Sequence, residues 1–213
     1  MTSDKHILIG EDDSFLLTLL ELQCQSLGMQ TCGVVNGEQL VTEALSYKYD
    51  IVITDIQMPL CDGIEAMQIL RRLGYDRPIF AMSADKIDCE GFDCTLQKPV
   101  DITQLAELFN QTPQQDRVPL LLNDELTALF YQNLLQLGQD FAVALQQEDL
   151  NLMRQICHKI KGGAASFGHQ NLSHLADNLQ QRLISETHNK DLLKECKQFL
   201  LIIQQSGVKN ERT

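Results

Sequence analysis

The stretch DIVITDIQMPLCDGIEAM, residues 50 to 67, decides how the first half of the chain folds. It begins with a short apolar run that ends in Asp55, and an apolar run of this length between polar residues predicts a buried strand. The following IEAMQILRRLG spaces its apolar residues as an amphipathic helix does. The stretch therefore predicts a strand that leads through a turn into a helix.

The same alternation of strand and helix extends in both directions from this stretch. Upstream lie HILIG, FLLTLLELQCQSLG, MQTCGVV and EQLVTEALSY, and downstream lie PIFAMSA, CTLQ and ITQLAELF. Five strands separated by helices predict an α/β doubly wound fold with a five-stranded parallel sheet, which we assign to residues 1–112. Such sheets bind ligands at the carboxyl ends of their strands.

The remainder of the chain follows a purely helical pattern. QTPQQDRVP, residues 111 to 119, is polar and contains two prolines, so we assign residues 113–120 to a linker. The pattern of residues 121–213 predicts four helices. The first begins at a cap formed by Asn123 or Asp124 and ends at about 147, and the other three span about 149–167, 170–185 and 189–206. Short connections favour an all-α four-helix bundle.

Charge and hydropathy exclude several classes of function. Residues 1–112 contain 7 basic and 18 acidic residues, a net charge of −11, whereas the rest of the chain has a net charge of only −1. An acidic first half argues against a nucleic-acid surface. No apolar run has the length of a membrane span, and the amino terminus lacks the pattern of a signal peptide. We therefore expect no nucleic acid, no membrane insertion and a cytoplasmic protein with reduced cysteines.

Acidic residues gather at the strand ends of the predicted sheet. The groups expected at this edge are Glu11, Asp12, Asp13, Asp55, Ser83 and Lys98. Each carboxylate alone could simply cap the following helix, but the whole set together with one lysine indicates a site. Clustered carboxylates repel one another unless a cation lies among them, and hard oxygen ligands suit Mg²⁺.

These residues belong to motifs that resemble a known family. ILIGEDDSF, DIVITDIQMPLCDGIEAM, AMSA and LQKPV resemble the flavodoxin-like receiver domain of two-component response regulators. The resemblance implies that Asp55 is the phosphoacceptor and attacks phosphorus as a carboxylate nucleophile. It further implies the following roles: Mg²⁺ bound by Asp12, Asp55 and the backbone carbonyl of Gln57, Glu11 acting through bound water, Lys98 and Ser83 contacting phosphoryl oxygens, and Pro99 shaping the lysine's loop.

Two features depart from the receiver pattern. The family usually has an aromatic switch residue three positions before the lysine, where this chain has Thr95. The segment from Ser83 to Lys98 is also shorter than usual by roughly two helical turns, so we expect a stunted helix around DKIDCEGF. Because that helix commonly belongs to the output surface, these departures question the usual phosphorylation-driven dimerisation.

A second candidate site lies in QICHKIKGGAASFG, residues 155 to 168. We expect one face of this helix to be buried in the bundle, through Leu152, Ile156, Ile160, Ala164 and Phe167. His158 then points outward, about 200° around the helix from Ile156. Lys161 and Gly162 share its face one turn later, so the imidazole has a cation beside it and little bulk next to it.

CHKIKGGAASFG resembles the phosphoacceptor motif of histidine phosphotransfer (HPt) domains, and the likeness extends over most of the second half. It implies that His158 accepts a phosphoryl group and that Lys161 stabilises it. It also implies that Gly162 gives access to the imidazole and that Gly168 ends the helix. Gly163 has no assigned role apart from close helix packing.

Together these motifs indicate a phosphorelay protein that passes phosphoryl groups between a sensor histidine kinase and a separate response regulator receiver. The chain has no Walker-type glycine-rich loop, so ATP is not its direct donor. Three alternatives remain: a regulatory binding protein that sequesters a kinase or receiver, a phosphate sink that drains a relay by hydrolysis, and the tail of a larger hybrid kinase. Because the last receiver helix, about 101–112, leads the chain roughly 18 Å from the active edge, we expect transfer between molecules.

Overall fold

The first unit of the chain is built on a parallel sheet. The computed structural model describes residues 5–84, 90–109, 124–185 and 190–208, and the chain divides into two compact units at residues 121 and 122. The strands are β1 His6–Gly10, β2 Gln30–Val34, β3 Ile51–Asp55, β4 Ile79–Ser83 and β5 Cys94–Gln97. All neighbouring strands run parallel, in the order β2-β1-β3-β4-β5. The predicted five-stranded parallel sheet is confirmed.

Helices cover both faces of this sheet. They are α1 Ser14–Ser26, α2 Gly37–Ser46, α3 Gly63–Arg72 and α4 Ile102–Leu108. Side chains alternate along each strand, so Ile7 and Ile9 of β1 pack with residues of α1 and α4, whereas Leu8 packs with residues of α2 and α3. The sheet is therefore doubly wound, as the sequence predicts.

Short polar side chains fix the points at which these helices begin. Asp13 accepts hydrogen bonds from the backbone N–H groups of Phe15 and Leu16 at 2.9 and 3.2 Å. Asp62 does the same for Glu65 at 2.8 Å, and each cap satisfies N–H groups that have no partner within the helix. The last receiver helix, expected over 101–112, spans only Ile102–Leu108, with Phe109 at its carboxyl-terminal cap; residues 110–112 lie outside the described part.

The connection from β4 to β5 is short and is tied to α3 by one arginine. The Arg71 side chain donates hydrogen bonds to the carbonyl of Gly91 at 3.2 Å and to those of Tyr75 and Arg77 at 2.8 Å. It also pairs with Asp93 at 2.7 Å, and Asp93 accepts a further bond from the Ile79 backbone. We call the contacts of Arg71 with Gly91 and Asp93 the Arg71 latch.

The stunted helix expected around DKIDCEGF falls mostly on residues 85–89, which lie outside the described part. The described remainder of this connection, residues 90–93, contains turns and no helix. Gly91 has a φ of +111°, and a Cβ there would lie 2.5 Å from the sulfur of Met67. The backbone of this segment therefore lies directly against α3.

The second unit is an all-helical bundle. Its helices are α5 Asp124–Gln146, α6 Leu150–Ser166, α7 Gln170–Ser185 and α8 Lys190–Val208. α6 packs on α5 and α7, and α8 closes the ring by packing on α7 and α5. At Gly138 a Cβ would lie 2.8 Å from the Ile203 side chain, so this glycine allows α5 and α8 to approach closely. The predicted four-helix bundle is confirmed, whereas the linker over 113–120 lies outside the described residues and stays a prediction.

The buried face of α6 differs from the prediction at one residue. Ile156, Ile160, Ala164 and Phe167 are buried as expected. Leu152 is only half-buried and lines a groove of about 280 Å³ between α5 and α6. Other α6 side chains complete the core, namely Met153 and Cys157. The buried stripe therefore has nearly the predicted direction, but it is wider than predicted and Leu152 lies at its edge.

Candidate functional site

Three carboxylates converge at the carboxyl edge of the receiver sheet. Glu11 and Asp12 directly follow β1, and Asp55 ends β3. One oxygen from each of the three lies within 4.8 Å of the others. Glu11 and Asp55 are 1% and 2% exposed, whereas Asp12 is half-buried. Parallel topology thus brings together residues that are far apart in sequence, while Asp13 of the predicted group caps α1 instead.

Lys98 lies among these carboxylates. Its ammonium is 2.7 Å from Glu11 Oε2 and 2.9 Å from Asp55 Oδ2. Lys98 directly follows β5, and its backbone N–H donates a hydrogen bond at 2.7 Å to the carbonyl of Ser83, the last residue of β4. This bond holds the backbone of the lysine beside the end of β4. Charge-assisted hydrogen bonds of this length are strong in a buried site. A single cation therefore balances the two most buried acids of the cluster.

The pKa values in this pocket are shifted by burial and by mutual contact. Burial raises the pKa of Glu11 to about 8; Asp55 and Asp12 add to the rise, and Lys98 opposes it. Burial alone would lower the pKa of Lys98, but the carboxylates of Glu11 and Asp55 outweigh it and raise that pKa above its ordinary value. The pocket thus keeps its cation and favours protonation of Glu11, so an additional cation would compete with that proton.

Gly63 allows the helix that follows Asp55 to approach the site. A Cβ at Gly63 would lie 2.1 Å from the backbone carbonyl oxygen of Asp55, which no real contact tolerates. The Gly63 N–H donates to the Ile56 carbonyl at 2.9 Å, and the Thr54 hydroxyl donates to the Asp55 carbonyl at 2.9 Å. The sequence pattern did not single out Gly63, although a glycine directly after the Asp62 cap is the signal that could have identified it.

The other predicted receiver residues lie around this cluster. Ser83 is buried at the end of β4, Gln57 is exposed in the loop after Asp55, and the peptide bond between Lys98 and Pro99 is cis. Thr95 is half-buried on β5, where it pairs in register with Ala81. Thus β4 and β5 bring Ser83 and Lys98 to the edge that carries the carboxylates.

The second candidate site is one turn of α6 in the bundle. His158 is half-buried rather than fully exposed, and its neighbour Cys157 lies in the core. Lys161 is one turn further along and pairs with Asp177 of α7 at 2.6 Å. The Ser173 hydroxyl, also from α7, donates to the Lys161 carbonyl at 3.0 Å. No sequence pattern indicated a role for Asp177 or Ser173, because only the packing of α7 on α6 brings them to this site.

The glycines of this motif differ in their environments. Gly168 follows the end of α6 with a φ of +76°, a conformation that glycine adopts without strain. Gly163 faces the core, where a Cβ would lie 3.6 Å from the Phe130 ring, an ordinary contact distance. Gly162 is half-buried and lies on the helix turn that follows His158. The packing against Phe130 therefore leaves room for an alanine at Gly163.

Comparisons with known proteins agree with this division. The response regulator receiver domain family matches residues 7–110, and the Hpt domain family matches residues 125–206. The sensor protein EvgS of Escherichia coli O157:H7 is 26% identical over 88% of this chain. The transcription factor SKN7 of Saccharomyces cerevisiae is 29% identical over 54% of it. The chain spans only 18% and 20% of the length of these relatives.

Solved structures are similar to part of the chain. A response regulator receiver domain (CheY-like) from Methylobacillus flagellatus is 28% identical, covers 51% of this chain and 98% of its own, and gives a TM-score of 0.47. The receiver domain of sensor histidine kinase PA1611 from Pseudomonas aeruginosa, with magnesium in its active site cleft, is 27% identical. It covers 51% of this chain and 96% of its own and gives a TM-score of 0.47.

Among the helices that the structure describes, none is both long and apolar enough to cross a membrane. The two family matches follow each other along the chain and coincide with the α/β unit and the helical unit. The chain therefore consists of a response regulator receiver domain followed by an Hpt domain, and it belongs to the two-component phosphorelay proteins.

Proposed function

We propose that this two-component protein accepts phosphoryl groups on Asp55 and on His158 and passes them between the two kinds of residue. The observation that carries the proposal is the contact of Lys98 with both Glu11 and Asp55 in a buried acidic pocket. Such a lysine keeps a nucleophilic carboxylate ionised and can neutralise charge on an incoming phosphoryl group. The half-buried His158 with Lys161 one turn away supports the second acceptor position.

In the first step, one oxygen of the Asp55 carboxylate attacks phosphorus. A new P–O bond forms while the bond from phosphorus to the donor atom breaks, and the donor leaves with that electron pair. The Lys98 ammonium and the Ser83 hydroxyl lie at the same sheet edge, where they can contact phosphoryl oxygens. Positioning and charge neutralisation supply most of the catalysis in reactions of this kind.

The carboxylate cluster fits a divalent metal ion. Three carboxylate oxygens within 4.8 Å of one another form the hard, anionic donor set that Mg²⁺ prefers. Asp12, Asp55 and the Gln57 carbonyl would hold the ion directly, and Glu11 would act through water. Bound there, Mg²⁺ would supply positive charge to the oxygens of the transferring phosphoryl group.

In the second step, a ring nitrogen of a neutral His158 attacks the phosphorus of the Asp55 acyl phosphate. The P–N bond forms from the nitrogen lone pair, and the electrons of the broken P–O bond return to the Asp55 carboxylate. The other ring nitrogen keeps its proton. Lys161, a neighbour of His158 on the same helix face, can offset the negative charge of the phosphoryl group.

This proposal makes the chain an intermediate between other two-component proteins. A sensor histidine kinase would load one acceptor, and a separate response regulator receiver would take the group from the other. In this proposal transfer occurs between molecules, in the cytoplasm. The likeness to EvgS, a sensor protein, supports kinases as partners of this type of chain.

The test is to incubate the chain with a small acyl phosphate and Mg²⁺ and to follow the stability of the label. Phosphohistidine is labile in acid and stable in base, whereas an acyl phosphate is labile in base. We expect wild type to acquire acid-labile label, and both Asp55→Ala and His158→Ala to lose it. If His158 takes no label even from another phosphorylated receiver, the relay is excluded.

A regulatory binding protein is the second candidate, and two observations favour it. Thr95 occupies the usual switch position, and the described part of the β4–β5 connection contains no helix. In this case Asp55→Ala would still bind its kinase or receiver partner with full affinity.

A phosphate sink would instead show rapid loss of the Asp55 label without any label on His158.

A further inference from the structure

Lys161 is held by α7 at two points. The Ser173 hydroxyl donates to its backbone carbonyl at 3.0 Å, and its ammonium lies 2.6 Å from Asp177 Oδ1. Ser173 and Asp177 are four residues apart, so both project from one face of α7. Ser173 is buried, which ties this turn of α6 to the adjacent helix. We call Ser173 and Asp177 the α7 clamp.

The ion pair in this clamp contributes little to the stability of the bundle. The Lys161 and Asp177 side chains are 21% and 36% exposed, and ion pairs so close to water are weak. Yet the pair fixes a long and flexible side chain whose free movement would otherwise be considerable. Its effect therefore falls on the position of the ammonium group rather than on folding.

That position is relevant because of the place of Lys161 on the helix. Lys161 follows His158 by three residues, so the two side chains are neighbours on the surface of α6. An ammonium group has three N–H donors, and the bond to Asp177 leaves two of them for other acceptors. A lysine held in this way can contact Asp177 and a phosphoryl oxygen at the same time.

We propose that Asp177 is a positioning residue, which holds the Lys161 ammonium beside His158 before the phosphoryl group arrives. The inference rests on the proposed function of His158 as an acceptor. Asp177 touches no reacting atom in this scheme and acts only through Lys161. Loss of the carboxylate leaves the lysine charged but unrestrained, so that its ordering must occur during each transfer.

The experiment uses the full chain loaded with a small acyl phosphate and Mg²⁺. The initial rate of acid-labile labelling of His158 is divided by the base-labile label present on Asp55 in the same sample. We expect Asp177→Asn to lower this ratio roughly tenfold. Asp177→Glu, which restores a carboxylate, should recover most of the lost rate.

A double-mutant cycle separates positioning from structure. With Lys161→Ala already present, Asp177→Asn should cause no further loss, because the residue through which it acts is gone. The matched control is Glu195→Gln, which breaks the ion pair between Arg182 of α7 and Glu195 of α8. This control removes the same kind of contact from another part of α7, and it should leave the labelling ratio unchanged.

Three results would overturn the inference. An unchanged or increased ratio in Asp177→Asn would show that the carboxylate does not assist Lys161 or that it competes with the phosphoryl group. Equal losses with and without Lys161 would show a merely structural role. Wild type whose His158 takes no label would remove the proposed function and this inference together, whereas normal wild-type labelling with an unchanged Asp177→Asn removes the inference alone.

Discussion

The two proposed acceptor sites are constructed in opposite ways. Asp55 lies 2% exposed in a pocket made from the ends of β1, β3, β4 and β5, with Lys98 inserted between carboxylates. His158 lies half-buried on one helix. The lysine predicted to assist it, Lys161, is one turn further along the same helix and pairs with a partly exposed carboxylate. One site is a buried cluster of distant residues, and the other is a surface feature of a local segment.

This difference determines how each site responds to change. In the receiver pocket Lys98 and the two acids that it contacts are all largely removed from water, so removal of one partner leaves a buried group without compensation and lowers the stability of the fold. In the bundle the charges stay in contact with solvent, so the fold does not depend on them. Substitutions in the receiver pocket should therefore alter folding and chemistry together, whereas those in the bundle should alter chemistry alone.

The largest difference in stability is expected when one glycine in each domain is replaced by alanine. Gly63→Ala places a Cβ 2.1 Å from the Asp55 carbonyl, whereas Gly163→Ala places one at 3.6 Å from the Phe130 ring. We expect Gly63→Ala to destabilise the receiver by at least about 4 kcal/mol and to abolish labelling of Asp55. Gly163→Ala should stabilise the bundle by up to about 1 kcal/mol, because alanine favours the helix. Urea titrations followed by NMR signals of each domain measure both changes.

The labelling assay supplies the control for this pair. The Gly163→Ala bundle should accept phosphoryl groups on His158 at the wild-type rate when a wild-type receiver supplies them. A receiver with Gly63→Ala that folds and labels normally would contradict the close approach of α3 to Asp55. It would also remove the contrast between a crowded site and an open one.

The next effect contrasts the two lysines. Lys98→Met leaves the buried Asp55 carboxylate and the Glu11 side chain without their cation, and we expect a loss of receiver stability on the order of 3 kcal/mol. Lys161→Met leaves only the partly exposed Asp177, so the bundle should lose less than about 1 kcal/mol. The same domain-resolved urea titrations compare the two variants at neutral pH.

A companion variant sharpens the lysine comparison. Combining Lys98→Met with Asp55→Asn removes the carboxylate charge that Lys98 no longer compensates and should recover part of the lost stability. Equal losses from Lys98→Met and Lys161→Met would show that burial does not distinguish the two ion pairs.

The smallest expected effect concerns pH and Mg²⁺. Burial raises the pKa of Glu11 from 4.5 to about 8. Between these two pH values the folded receiver binds more protons than the unfolded chain does, so this group makes the metal-free receiver less stable as pH rises. Because Mg²⁺ binds ionised carboxylates, its stabilising effect should be greater at pH 8 than at pH 5. At 100 times its Kd the ion adds about 2.7 kcal/mol.

Thermal unfolding with and without Mg²⁺ at both pH values measures this linkage. In Glu11→Gln the loss of stability with rising pH should be reduced, because the titrating group is absent. The described residues of the bundle contain no comparable acidic cluster, so we expect the unfolding transition of the bundle to stay unchanged. A receiver that gains equally from Mg²⁺ at pH 5 and pH 8 would contradict the proposed competition between metal and proton.

Physical reasons explain why the sequence predicted the two folds and the gathering of carboxylates with Lys98 at one sheet edge, whereas the roles of Asp55 and His158 stay predictions. Strand and helix periodicities are local signals, and parallel strands share one edge, so Glu11, Asp55 and Lys98 could be placed together in advance. The residues it missed act through tertiary contacts. Asp177 lies beside Lys161 because of the exact position of α7 against α6, and the spacing of residues along the chain does not determine this position.

Other differences have similar causes. Leu152 was expected in the core but lines a groove, because helical periodicity gives the direction of a buried stripe but not how far the neighbouring helix covers its edge. The space beside Gly163 could not be predicted either, because its distance from the Phe130 ring depends on how α5 packs against α6. Residues on shared sheet edges can thus be predicted more readily than residues on facing helices.

The Arg71 latch has a consequence for hydrogen exchange. β5 is a four-residue edge strand, and a strand so short and at the edge of a sheet would ordinarily open by itself. Arg71 joins the end of α3 to Gly91 and Asp93, and Asp93 also binds the first residue of β4. Opening of β5 from its amino end breaks the contacts of Asp93 with Arg71 and with Ile79. We therefore expect the amides at the amino end of β5 to exchange more slowly than those of an edge strand without such contacts.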